Sequence, residues 1–289
     1  MVSRRLDALE ARLGVKLLQR TTRRLSLTSE GTAFVENCQR ILRELEDSEA
    51  AVAAKGVEAF GHLRISAPAG FGRVHVAPIV ADFATQHPRV TVALELSDRL
   101  VDLLAEGLDC AIRFGEHADS TLVRVQVGAS RRVVVAAPAY VERHGRPRHP
   151  LELEKHHCLT LGDTAMVGAP QRGWTLSLDG VPTPIRVAGA LVCNDGAVLH
   201  DWALQGRGLA WRSLWEVGHD IESGRLITVL DDFAAPATRV YCVFPARKHI
   251  ALRARLFIDS IKQAFARAPL ATALGGQPVA VAAERNNHR

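Results

Sequence analysis

The chain has 289 residues, 47% apolar and 23% charged, enough for a sizeable buried core and about two domains. No stretch approaches the roughly 18 apolar residues of a membrane span, and the N-terminus lacks the apolar region and cleavage site of a secretory signal. Five scattered cysteines (Cys38, Cys110, Cys158, Cys193, Cys242) without a CxxC pair read as reduced thiols of a cytoplasmic protein. The net charge of +5 is concentrated: residues 1–24 carry seven basic groups against Asp7 and Glu10, so the rest of the chain balances to zero. A basic module addressing a polyanion, joined to a neutral body, has this signature, although charge alone fits a solvated helix face equally well.

Val2, Leu6, Leu9 and Leu13 stand at helical spacing ahead of Gly14, a C-cap, which leaves Arg4, Arg5, Glu10 and Arg12 largely on the open side. "TTRRLSLT" alternates polar and apolar residues and predicts a short hairpin. Thr28 then caps a second helix, in which Phe34, Cys38, Ile41, Leu45, Ser48 and Val52 repeat at 4-3-4-3-4 spacing. Such a narrow stripe predicts a helix lying along another helix, most simply its copy in a dimer; the rival reading is a helix lying on its own domain. Glycines in "AKGVEAFG" mark a linker.

From His62 the pattern changes. "HLRISAP" predicts a strand, "VHVAPIVADFATQHP" a helix, "VTVALEL" a strand, "LVDLLAEG" a helix ending at Gly107, and "DCAIRFG" a strand. This alternation predicts a parallel, doubly wound α/β sheet. "LVRVQV" and "RRVVVAAP" follow as successive strands, a crossing between subdomains. Further on, "YVERHG" and "LELEKH" predict helices, and Asp179-Gly180 the turn of a hairpin. "NDGAVLHDWALQGRGLAWRS" predicts a capped helix, a glycine turn and a strand, before the strand "TRVYCVF" and the helix "IALRARLFIDSIKQAF". The tail over residues 267–289 has no usable period and is expected to be disordered.

"VSRRLDALEARLGVKLLQRTTRRLSLTSEG" resembles the second half of the winged helix-turn-helix of LysR-type transcriptional regulators, with LE-x-x-LG-x-x-L running from the recognition helix and a wing ending in LT-x-x-G. The resemblance continues through the linker helix, "EGLDCAIRFG" and "NDGAVLHDWALQGRGLAWRSLW", and covers residues 2 to about 266. The family pattern places about thirty further residues, with the first limb of the helix-turn-helix, ahead of this point, so Met1 falls inside the expected recognition helix. The resemblance implies a partial DNA-binding domain (1–27), a linker and dimerisation helix (28–59), and an effector-binding domain (60–266). That last domain would have a type 2 periplasmic-binding-protein fold, with subdomain I at 60–130 and 236–266 and subdomain II at 131–235.

Chemistry can be assigned to both ends. Ser3, Arg4 and Arg5 occupy the first turn of the recognition helix, where arginine suits guanine O6/N7, and Arg20, Thr21, Thr22, Arg23 and Arg24 occupy the wing, suited to phosphate. Phe34, Cys38, Ile41, Leu45 and Val52 are the dimerisation seam. In the sensor, three helix starts offer backbone amides to an anion: Gly70 and Phe71, Ser97 and Asp98 (as N-cap of the next helix), and Asn194, Asp195 and Gly196. Arg113 and Ser213 are weaker candidates for the same site, with a structural role the first reading.

Enzyme readings fare poorly. The chain has no G-x-S-x-G or Walker loop, and Gly206-Arg207-Gly208 lacks the third glycine of a dinucleotide fingerprint. His156-His157, His144 and His149 lack zinc-ligand spacing, so neither metal nor cofactor is expected. The expectation is a cytoplasmic regulator, a homodimer or homotetramer without membrane contact, binding double-stranded operator DNA and a small, anionic effector. The alternative is a small-molecule binding protein without specific DNA binding.

Overall fold

The computed structural model describes residues 2–20, 25–35, 37–38, 41–42, 45, 58–99, 101–115, 121–162, 173–246 and 250–267. Helix α1 (Val2–Leu13) ends at Gly14, whose left-handed φ of 70° lets its N–H reach the Glu10 carbonyl at 2.9 Å. Strands β1 (Leu18–Arg20) and β2 (Leu25–Leu27) pair antiparallel with Arg20 opposite Leu25, as the alternation predicts. Thr28 Oγ1 accepts the Gly31 N–H at 2.9 Å and so caps α2, which is helical at residues 29–35, 37–38, 41–42 and 45.

Two five-stranded sheets follow. The first is ordered β4-β3-β5-β14-β6, from β3 (Gly61–Ala67), β4 (Val90–Leu96), β5 (Cys110–Phe114), β6 (Leu122–Ser130) and β14 (Thr238–Pro245). The second is ordered β11-β8-β12-β7-β13, from β7 (Arg132–Ala136), β8 (Cys158–Leu161), β11 (Val192–Cys193), β12 (Leu209–Ser213) and β13 (Ile227–Val229). In each sheet the first three strands run parallel, and the fourth runs antiparallel to both its neighbours. The sheets are therefore mixed, correcting the parallel expectation. The physical reason is connectivity: each antiparallel fourth strand is where the chain enters from the other sheet, at β6 to β7 and at β13 to β14.

Both sheets are covered on two faces. In subdomain I, Leu63, Ile65, Ile112 and Val240 meet a first helical layer, through Phe71 and Phe83, and beside it on the same face Phe257 and Ile261 of α8 (Leu252–Arg267); the other face is closed by Val101, Leu103 and Leu108 against Ala111, Tyr241 and Val243. That first layer is one continuous rod: α3 (Ala69–Phe71), a π turn (Gly72–Val76), and α4 (Ala77–Gln86). A Cβ at Gly72 would lie 2.3 Å from Leu96 Cδ2, so the glycine lets the rod settle onto the strands. In subdomain II, α5 (Pro138–His144) and the hairpin β9 (Trp174–Leu178) and β10 (Val181–Ile185) cover one face, and α6 (Gly196–Leu204) and α7 (Leu214–Glu222) the other. Each large apolar side chain buried this way contributes roughly 1.5–3 kcal/mol.

The hairpin turns at Asp179 and Gly180 (φ 51° and 80°), as its sequence requires. Two predicted helices are absent. "LVDLLAEG" forms a turn instead, because Asp102 Oδ1 takes the N–H groups of Leu104 and Ala105 at 2.9 and 3.0 Å and Gly107 turns left-handed. "LELEKH" forms the 3-10 helix Pro150–Lys155. Residues 268–289 of the tail lie outside the described residues.

Candidate effector cleft and DNA-facing end

Arg4 and Arg5 are exposed on α1 and make no ion pair among the described residues; Ser3 lies on the same helix and Arg20 closes β1. Thr21, Thr22, Arg23 and Arg24 lie outside the described residues. Glu10, expected on the open side, is instead only 6% exposed. Its carboxylate accepts the Leu17 and Leu18 N–H groups at 2.8 and 3.1 Å and the Lys16 ammonium at 2.6 Å. The Lys16 bond and the two backbone bonds hold its pKa at about 2, so it stays ionised and clamps α1 to the wing. On α2, Phe34 and Cys38 are half-buried, whereas Ile41 and Leu45 are 57% and 53% exposed; Val52 lies outside the described residues.

The sensor candidates converge on the ends of the two sheets. After β3, Pro68 leads into α3, and the Ala69 N–H donates to Asp98 Oδ1 at 3.0 Å. Contrary to the expectation that they cap the next helix, Ser97 and Asp98 precede a turn; Asp98 closes the start of α3, on the neighbouring strand's connection. Ser97 holds that connection through its own N–H to the Ala67 carbonyl at 2.9 Å. Gly70 leaves room for the Trp215 ring of α7, with a Cβ position 3.4 Å away. Phe71 turns inward at 1% exposure, its ring 5.3 Å from Trp215 and 5.1 Å from Phe114. His75 completes this junction, 5.5 Å from the Trp215 ring; burial pushes its pKa down, partly opposed by a bond to the Trp215 backbone.

Across the junction, Asn194 and Asp195 are exposed, and Asp195 Oδ1 accepts the Ala197 N–H at 2.7 Å, the predicted N-cap of α6. Gly196 makes way for the Arg212 guanidinium, which grips both oxygens of Glu216 at 2.7 and 2.6 Å. Beside it stands Arg132, its guanidinium carbon 4.5 Å from the centre of the Trp211 ring. Burial, and then the Arg212 charge, lower the Arg132 pKa, while Glu216 and Asp98 act in the opposite sense. Asp98 of subdomain I thus sits within electrostatic reach of Arg132 in subdomain II.

Sequence reasoning missed this centre. Enclosed side-chain atoms without hydrogen-bond partners stand in both subdomains: Arg113 Nη2, a residue the sequence offers only as a weaker candidate, and, unforeseen, Ser66 Oγ and Ser130 Oγ in subdomain I and Thr160 Oγ1, Trp211 Nε1 and Trp215 Nε1 in subdomain II. Every one can donate, and buried donors of this kind are ordinarily satisfied. The signal available in sequence was "RRVVVAAP", two cations immediately ahead of a wholly apolar strand. Elsewhere, His144, His156 and His157 gather around Tyr140, whose hydroxyl accepts the His157 N–H at 3.0 Å and meets His156 Nδ1 at 3.3 Å. Among the described residues no group of three or more metal-ligating side chains could hold an ion, and no helix is long and apolar enough to cross a membrane.

An exposed basic helix with a short hairpin, followed by two α/β subdomains of like sheet plan joined by two crossings, is the plan of a periplasmic-binding-protein-like sensor behind a basic N-terminal module. Comparison with known families agrees: residues 57–266 match the LysR substrate binding domain, and residues 1–32 match the bacterial regulatory helix-turn-helix protein, lysR family. The chain belongs to the LysR family of transcriptional regulators.

It is 35% identical over 265 residues to the HTH-type transcriptional regulator DmlR of Escherichia coli, covering 92% of this chain and 85% of that one. Against the transcriptional activator TtdR of Escherichia coli the identity is 29%, over 89% of this chain and 82% of the relative. Among solved structures, CrgA of Neisseria meningitidis superposes with a TM-score of 0.63 at 31% identity, covering 91% of this chain and 88% of that one. The Vibrio cholerae virulence activator AphB gives 0.65 at 27%, covering 90% and 88%. These relatives are regulators, not enzymes, in keeping with the absence of catalytic motifs.

Proposed function

We propose that this regulator is a cytoplasmic, dimeric or tetrameric operator-binding protein controlled by a small anionic metabolite held between the two sensor subdomains. In this reading residues 1–27 address DNA, 28–59 pair two copies, and 60–266 sense the effector. Ser3, Arg4 and Arg5 read base edges, and the wing from Arg20 to Arg24 holds phosphates. The observation that supports an anionic effector is the set of enclosed, unpartnered donors around the junction, Arg113 Nη2 and Thr160 Oγ1 among them, which acceptor groups on a ligand would satisfy. The helix starts near Gly70 and Asn194 are less suited to that task than their sequence suggests, because Asp98 and Asp195 already occupy the nearest amides.

The test is a thermal-shift screen of the full chain against carboxylic acids, followed by gel shifts with upstream DNA at graded salt. A ligand at a hundred times its dissociation constant should add about 2.7 kcal/mol of stability, and should alter DNA affinity. A carboxylate that binds without changing affinity for any DNA fragment would instead favour a small-molecule binding protein. Arg4→Ala should relax base preference, whereas Arg23→Ala should weaken all sequences alike. Pairing through α2 is tested by Ile41→Asp with Leu45→Asp, expected to sediment as a monomer with the sensor still folded.

A further inference from the structure

Two arginines stand side by side at the end of the second sheet, and their circumstances differ. Arg212 holds both oxygens of Glu216 through Nη2 alone, and its Nε is enclosed and unpartnered. Arg132, the first residue of β7 and in register with Ser213, has no carboxylate within ion-pair distance among the described residues and remains open to solvent. Nearby protein and the Arg212 charge penalise it there, so an anion beside it would recover that cost. Among the described residues its direct partner is the face of Trp211, and the guanidinium makes no hydrogen bond there. Trp211 Nε1 and Thr160 Oγ1 lie on the same side of the sheet, enclosed and unpartnered, with Thr160 only 2% exposed.

Arg113 is the rival cation of the junction. It is buried on β5, its Nη1 donates to the Ile112 carbonyl at 3.1 Å and its Nη2 is unpartnered; burial lowers its pKa, with Glu106, Asp98 and Glu95 opposing that. Asp98, in turn, spends one oxygen on the Ala69 N–H and has no other hydrogen-bond partner among the described residues.

Resting on the cleft reading above, the geometry points to Arg132 as the carboxylate anchor of the effector, with Trp211 Nε1 and Thr160 Oγ1 as adjoining donors and Asp98 as a selector across the cleft. A planar guanidinium takes a carboxylate through two parallel bonds. Asp98 repels a second anionic group and accepts a bond from a donor. The ligand class is therefore a short carboxylic acid carrying a hydroxyl or ammonium group near its carboxylate, in preference to a plain or doubly charged acid.

The experiment titrates the full chain with sodium glycolate, glycine, sodium acetate and sodium succinate, reading thermal stability and tryptophan fluorescence. In the unmodified protein glycolate or glycine should bind more tightly than acetate, and succinate most weakly. Arg132→Met should weaken the tighter probe at least about tenfold, the scale of one lost charge-assisted bond, while Arg132→Lys should retain part of the binding. Asp98→Asn should abolish the discrimination against succinate. Circular dichroism and urea midpoints confirm that each variant is folded, and Trp211→Phe, which keeps a ring under Arg132 but loses the indole N–H, gives a second, milder readout.

Unchanged binding by Arg132→Met overturns the assignment, and if Arg113→Met loses binding instead, an anionic effector stands with a different anchor. If the unmodified protein answers to no carboxylate, in this series or in the wider screen, the reading of the cleft falls and the anchor falls with it.

Discussion

The two sensor subdomains have the same sheet plan and close their helix starts in different ways. In subdomain II, Asp195 caps α6 from two residues before the bonded Ala197, a bond that any N-cap can make from local sequence. In subdomain I the equivalent carboxylate, Asp98, arrives from 29 residues away and joins the start of α3 to the end of β4. The first closes one helix. The second couples two strand connections, and it lies within reach of a cation on the opposite lip. Similar architecture therefore hides different liabilities: damage in subdomain II should stay local, and damage in subdomain I should spread to the junction.

Substituting the close-approach glycines tests the stiffness of each subdomain and carries the largest expected effect. A Cβ at Gly189 would lie 1.9 Å from the Cys158 carbonyl oxygen, an obstacle of backbone, whereas at Gly72 the nearest atom is the end of the Leu96 side chain. Gly189→Ala should cost about 3 kcal/mol in urea unfolding and Gly72→Ala about 1 kcal/mol. Equal losses would mean that Leu96 cannot yield.

The caps come next. Asp98→Ala and Asp195→Ala should each cost about 1 kcal/mol. Hydrogen exchange should separate them, accelerating around both residues 69–71 and 97–99 for the first and around 196–198 alone for the second. Matching local patterns would erase the contrast between the subdomains.

The smallest effect is pH dependence at the junction itself. Because burial lowers the His75 pKa, its contribution to stability is complete above the ordinary value of 6.5 and is lost as the pH falls through the folded value. Urea midpoints should drop as the pH falls below the ordinary histidine value, and the drop should shrink in His75→Phe. A midpoint that rises with acidity would reverse the assignment.

Short-range grammar was legible before any coordinates: the Gly14 cap, the Asp179-Gly180 turn, the Asp195 cap and the crossing after Ser130 each depend on neighbouring residues. Strand direction was not, since alternating elements look alike whether or not the chain has crossed into another sheet. "LVDLLAEG" has helical periodicity, yet Asp102 competes for its first N–H groups and the turn prevails. Glu10 was misplaced because the helical period reports which side of α1 is apolar, and cannot report a wing folding back to bury a carboxylate under its amides. The candidate site suffered in the same way: its helix starts could be read from local residues, but Arg132, Trp211 and Thr160 meet only once three strands are laid side by side.

The crossings between the sheets are unequal. A single residue, Arg131, separates β6 from β7, while residues 230–237 separate β13 from β14, beginning with a left-handed Leu230 at φ 59° and a short 3-10 turn. The first joint leaves no spare residue, and the second, though longer, is tied down: Leu230 lies in the subdomain II core and Ala234 bridges to Leu176 of β9. Arg132 stands one residue past the shorter joint. Two residues before it Ser130 pairs with Thr238 in the first sheet, and Arg132 itself pairs with Ser213 in the second. The backbone that carries this charge is therefore fastened on both sides by ladders of different sheets, so its place follows from how the two halves of the sensor are stitched together.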